Sequence, residues 1–276
     1  AQMKYAMGKA LYEQEHFEEA YGYLKEAQDS GKPDVTRMTV LAALHLGRID
    51  LAEPPAEAEE SVGRMEWFVT QGLFSLGHDL IQSLAKVKLS RSARLWIVKF
   101  KLGTGMDGAY DELVSLTRGD DLTAHKARLL TAELHLATQS GFEQIYSDVA
   151  LSLYGPLAAR AWALLACAAS QKEATAGRPF LEKGGEVAAT KPQQWLSFLD
   201  ILVRYGAYPA ESYLYSEEAF AHFQRSSHLA WLRAALFMRA ARPQRALHEI
   251  ERALAVQPNN KKYLKLNAII RSSLKK

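Results

Sequence analysis

The feature that most constrains this chain is the spacing of small and large residues over positions 1–33, AQMKYAMGKALYEQEHFEEAYGYLKEAQDSGKP. Gly8, Ala20 and Ala27 are small, Leu11, Tyr12, Phe17 and Leu24 are large and apolar, and Pro33 closes the stretch. Tyr5, Gly8, Leu11 and Tyr12 recur at i, i+3, i+4 spacing, which predicts a helix over 2–14. His16 marks a turn, and 17–29 reads as a return helix with Ala20, Leu24 and Ala27 inward and Glu18, Glu19, Lys25 and Glu26 toward water. Gly31, Lys32 and Pro33 stop it. One such pair has an apolar face that it cannot bury alone, so neighbouring pairs must bury it.

The pattern returns near the other end. Residues 229–239 and 243–256 form a pair in which Ala246 and Ala253 stand seven apart, as Ala20 and Ala27 do, and Pro258-Asn-Asn closes it. In unit length, about 34 residues, and in residue pattern, 1–33 and 227–260 resemble the tetratricopeptide repeat family. The resemblance implies an all-α fold, a right-handed α/α superhelix forming a single solenoid over 1–276. About eight helix pairs fit the length, with 261–276 as a capping helix. It also implies that Gln2, Tyr5, Lys9, Tyr12 and Glu13 line a concave groove. Where co-chaperone repeat domains clamp a terminal carboxylate with lysine and asparagine, this unit has Tyr5 and Lys9, a departure that argues against a carboxylate-clamp adaptor.

Between the two clear units the signature is degenerate but the helix rhythm continues. Asp34 is a good N-cap for a helix over 35–46, with Gly47 as its stop. A return helix starts at Ile49, includes Ala52 and is cut short by Pro54 and Pro55, so the acidic stretch 54–60 reads as a loop, bend or hinge. Beyond it the expected pairs are 61–76 with 79–87, 90–102 with 107–117, 122–138 with 142–153, 156–169 with 179–190, and 192–205 with 209–224. A polar helix over 263–274 then follows the 227–260 unit.

Composition narrows the class. An apolar fraction of 48% and a charged fraction of 24% describe a folded, water-soluble chain of 276 residues. With 17 glycines and 9 prolines among abundant leucine and alanine, helix is favoured throughout. The lone Cys167 excludes an internal disulfide framework and a cysteine-based zinc site, and suits a bacterial cytoplasm or periplasm alike. No apolar run reaches the length of a membrane span. The chain opens inside its first helix without a methionine, which reads as a processed protein or a fragment. Charge is uneven: 1–60 carries six basic against twelve acidic residues, net −6, whereas 227–276 carries eleven against two, net +9.

Few motifs suggest chemistry. Gly103-Thr-Gly105-Met-Asp-Gly108 is a literal G-x-G-x-x-G, but a dinucleotide site needs a preceding strand and an acid at the end of a second one about 20 residues on. Ser90 instead caps a helix that places Leu95, Val98, Phe100 and Leu102, which makes the glycines an interhelical turn. Ser83-Leu-Ala-Lys86 matches S-x-x-K without its companion motifs. The eight histidines, His16, His45, His78, His125, His135, His222, His228 and His248, form no i, i+4 pair, and no motif asks for a metal or cofactor. Asp120-Asp121 and Glu59-Glu60 read as helix starts and loops. Tyr205, Tyr208, Tyr213 and Tyr215 read as packing residues. Lys261, Lys262, Lys265 and Arg271 offer a patch for an anionic partner or a solvated cap, with too few aromatics for nucleic acid.

These readings point to a non-enzymatic scaffold or adaptor that binds a peptide or protein in its groove. One alternative is an assembly module of a bacterial secretion, pilus or polysaccharide-export machine, self-associating through its oppositely charged ends. A second is a nucleotide-binding protein built on 103–108.

Overall fold

The computed structural model describes residues 1–28, 33–51 and 53–275. Among them every regular element is helical, with sixteen α-helices and no strand. They group into two compact units, Ala1–Glu112 with Asn260–Lys262, and Leu113–Asn259 with Tyr263–Lys276. Among the described residues no helix is long and apolar enough to cross a membrane.

The first unit holds α1 (Gln2–Glu13), α2 (Phe17–Ala27), α3 (Pro33–His45), α4 (Ala58–Gln71), α5 (His78–Leu84) and α6 (Arg91–Thr104), and α7 (Ala109–Leu116) begins in it. The α1–α2 pair forms because small residues let the two backbones approach. A Cβ on Gly8 would lie 2.8 Å from Leu24 Cγ, and Ala20, Leu24 and Ala27 are fully buried. Burying Leu24 alone is worth about 1.5–3 kcal/mol. Glu18 and Glu19 in the first turn of α2 and Lys25 in its last complement the helix dipole. Helix α2 packs on α3, α3 on α4, and α4 on α5 and α6.

The second repeat position departs from expectation in two ways. Asp34 is not an N-cap: α3 starts at Pro33, and Asp34 lies in its first turn, where it accepts from Arg37 Nη2 at 3.3 Å. A proline has no N–H to lose at a helix start, so it opens α3 instead of closing the unit before. The expected return helix from Ile49 does not form among the described residues, and Ala52 lies outside them. Helix α3 ends at a left-handed Gly47 (φ +66°), with Arg48 N–H donating to Ala43 O at 2.9 Å. Pro54 and Pro55 follow before another turn is complete; they supply no N–H and bias their predecessors away from helix. The segment is nevertheless held, because Arg64 Nη1 donates to Glu53 O at 2.5 Å while Nη2 and Nε bind Glu60. Residues 58–60 belong to α4.

Residues 96–102 lie in α6, whose start is capped by Ser90 Oγ accepting from Ala93 N–H at 3.2 Å. Gly103 is inside the helix and Gly105 ends it at φ +71°. The glycine motif is therefore a helix end and the turn after it, with no strand in front.

The second unit holds α8 (Leu122–Ala137), α9 (Phe142–Val149), α10 (Ala158–Ser170), α11 (Arg178–Thr190), α12 (Trp195–Tyr205), α13 (Pro209–His222), α14 (Ser227–Arg239), α15 (Pro243–Val256) and most of α16 (Lys261–Ser273). Successive helices pack in pairs, α8 with α9 through α14 with α15, and alternate helices also touch, α8 with α10, α10 with α12, and α12 with α14. Helices α8, α10, α12 and α14 thus form one contiguous row, and each packs against the odd-numbered helix that follows it. Its core runs through Leu164, Leu165, Trp195, Phe198 and Leu232. The alanine-rich α10 lets its neighbours come close, with Ala159, Ala161, Ala163 and Ala166 all fully buried. Ala246 and Ala253 are likewise fully buried, and Tyr263 and Ile270 of α16 join them with Phe237 and Ile250 in one cluster.

Candidate functional site

In the first unit, α1, α2, α3 and α4 bring together seven aromatic and charged side chains. Tyr12 meets Phe17 edge-on at 5.5 Å, and Phe17 stacks on His45 with ring centroids 3.8 Å apart. His45 in turn meets Tyr12 at 5.7 Å and Trp67 at 4.6 Å, both edge-on. Beside this nest Arg37 bridges the Glu66 and Asp34 carboxylates. Burial pushes the His45 pKa down to about 4, so the ring is neutral at pH 7 and packs as an aromatic. Burial, with the nearby Glu66 carboxylate, holds Tyr12 protonated well above its usual range. Burial opposes the charge on Arg37, but Glu66 and Asp34 outweigh it and its pKa rises.

Of the five groove positions expected on α1, Tyr5 and Tyr12 are half-buried and pack against the Ala20, Leu24, Met38 and Ala42 cluster. Gln2, Lys9 and Glu13 are exposed on the same side of the helix, and Lys9 Nζ lies 3.9 Å from Glu13. The sequence reading missed Arg37, His45, Glu66 and Trp67. A signal was present for two of them: Arg37 and His45 stand at i and i+8 on α3, one face of a helix on either side of Leu41.

The row of α8, α10, α12 and α14 in the second unit carries an ionic network. Glu133 of α8 accepts from Arg160 of α10 at 2.6 and 3.1 Å and from Arg204 of α12 at 2.6 Å. Asp200 of α12 accepts from Arg204 at 2.6 Å and lies 3.5 Å from Arg160 Nη1 and 3.9 Å from His228 Nε2 of α14. Tyr205 Oη donates to the Glu133 carbonyl at 3.1 Å, and Trp231 stacks on His228 at 5.6 Å. The Glu133 and Asp200 side chains are only 9% and 11% exposed, whereas Arg204 is half exposed, so Arg204 is the member of this network that faces an incoming group.

Other expected residues fall elsewhere. Lys261, Lys262, Lys265 and Arg271 are exposed on α16, and Arg271 is held by Glu251 at 3.0 Å and Asn267 at 3.1 Å. Cys167 is buried, and burial lifts its pKa to about 12, which leaves the thiol protonated and inert. Ser152 Oγ, His125 and Asp120 align as nucleophile, base and acid would, at 3.0 and 3.2 Å. Yet Ser152 is completely buried and Arg128 Nη1 approaches the same His125 nitrogen at 3.4 Å, so the serine has no open side on which to meet a substrate. This contact ties α8 to the turn at 150–152.

Comparison with protein-family models finds none that matches the chain, and comparison with curated proteins gives no match.

Proposed function

We propose that the chain is a non-enzymatic scaffold of tetratricopeptide-like helix pairs, wound as right-handed α/α units, that holds a peptide or protein segment. The observation that carries this reading is the row of ionic and aromatic groups that runs from helix to helix along α8, α10, α12 and α14. The four pack side by side in that order, and each also packs against the odd-numbered helix that follows it. In the first unit α1, α3 and α4 present the same mixture through Tyr5, Tyr12, Arg37, Glu66 and Trp67. Rigid aromatics give contact area at low entropic cost, and paired arginines give directional bonds to main-chain carbonyls and side-chain carboxylates.

A pull-down from a lysate of the source cell with wild type, Tyr5→Ala and Lys9→Glu, read by mass spectrometry, tests the first face. Loss of a common set of proteins from both variants is the expected result. An unchanged set removes the α1 face from the binding site. The parallel variant Arg204→Glu tests the second face in the same way.

A further inference from the structure

The missing return helix of the second repeat position leaves a specific gap. The segment around 53–57 runs between two hollows in the first unit. One, about 500 Å³, lies toward α4 and α5 and is lined by Leu51, Pro55, Phe68, Leu80, Leu84 and Val87. The other, about 470 Å³, lies toward α2 and α3 and is lined by Gln28, Thr36 and Val40. Ala56 and Glu57 border both. A complete helix pair would fill this space, since a return helix packs between the one before it and the one after it. A strap of chain fills it only in part, and leaves Leu51 and Val87 exposed at the surface.

The rim of the gap is acidic. Glu53, Glu57, Glu59 and Asp79 stand around it, and Arg64, which also lines it, is buried and occupied by Glu60 and the Glu53 carbonyl. The complementary surface exists on the same chain. On α16, Leu264 and Ile269 are 39% and 51% exposed and stand about 140° apart around the helix, with Ala268 and the basic Lys261 and Lys265 on the arc between them, and Lys275 follows the helix. That is a basic helix face carrying two unburied apolar side chains, opposite in charge to the rim of the gap.

We propose that the gap beside 53–60 receives α16 of a second copy of the chain. Leu264 and Ile269 enter the hollow toward α4 and α5, and Lys265 and Lys275 meet Glu57 and Glu59. Because the two surfaces differ, the contact is heterologous and copies add head to tail. The attraction between the rims is screened by salt, so association weakens as ionic strength rises.

Sedimentation velocity over a range of concentrations tests this on the full chain. Wild type is expected to associate at low salt and to dissociate at high salt. Glu57→Lys with Glu59→Lys, and separately Lys265→Glu with Lys275→Glu, should each weaken association about tenfold or more, because like charges then face one another. Circular dichroism on each variant establishes that it remains folded; Glu60 is left alone because it holds Arg64. An equimolar mixture of the two variants restores opposite charges across the contact and should associate again. A wild type that stays monomeric at every concentration in low salt overturns the proposal. So does a folded variant that associates like wild type, or a mixture that remains monomeric.

Discussion

His45 shows how a single side chain trades charge for packing. Its unfolded pKa of about 6.5 falls to about 4 in the nest, because the rings of Phe17, Tyr12 and Trp67 displace the water that would solvate an imidazolium. A depressed histidine means the unfolded chain takes up the proton first. Its contribution is therefore complete above pH 6.5 and is lost as pH falls from there toward 4, at up to about 1.4 kcal/mol per pH unit. His45→Phe keeps the stacking without the titration. Denaturant melts at pH 7 and pH 5 should show a smaller acid loss in the variant than in wild type, and equal losses would mean that other groups dominate. Gly8 makes a steric prediction. Gly8→Val pushes a branched side chain into Leu24, whose Cγ is already 2.8 Å from where a Cβ would sit. The overpacking should cost about 1–3 kcal/mol, read as a lower urea midpoint at unchanged slope. Gly8 was legible in the sequence as the small residue of a pair. The His45 nest was not, since Trp67 reaches it from 22 positions away on a helix whose orientation no local pattern encodes.

At the scale of elements, capping and turn chemistry carried most of the legible information. Ser90 and Gly105 bound α6, and left-handed Gly47 ends α3, each where its residue type predicts. The failure at 46–57 has the same origin. The spacing of Ala52 from Gly47 suggested a return helix from Ile49 that Pro54 and Pro55 cut short, but the prolines leave too few residues to close even a short one, at about 3 kcal/mol for a proline inside a helix. The ionic network of the second unit was beyond sequence reading, because Glu133 reaches Arg204 across 71 positions and Arg160 across 27. It yields a prediction about α8, α10 and α12 together. Glu133→Leu removes one of the two carboxylates that hold Arg160 and Arg204 and leaves both to Asp200, which should cost about 1–3 kcal/mol. Adding Arg160→Leu should recover part of that loss, since Asp200 then serves Arg204 alone. Urea unfolding of the single and double variants measures the coupling, and simple additivity would mean that the contacts act independently.

For the whole molecule, an all-helical chain in paired elements was readable from composition and from the periodicity at both ends. The partition into two compact units was not readable, because its boundary at Glu112 falls inside α7 and the Gly103–Gly108 turn before it reads like any other interhelical turn. The proposed function rests on the row of groups along α8, α10, α12 and α14 and on α1, α3 and α4, so it is a proposal about sets of helices and not about a single residue. Hydrogen–deuterium exchange on the full chain, with and without a partner protein recovered by pull-down, tests that claim most directly. The expected result is added protection on α1, α3 and α4, or on α8, α10, α12 and α14, with α2, α9, α11 and α13 unchanged. Protection confined to α2, α9, α11 and α13 would contradict it.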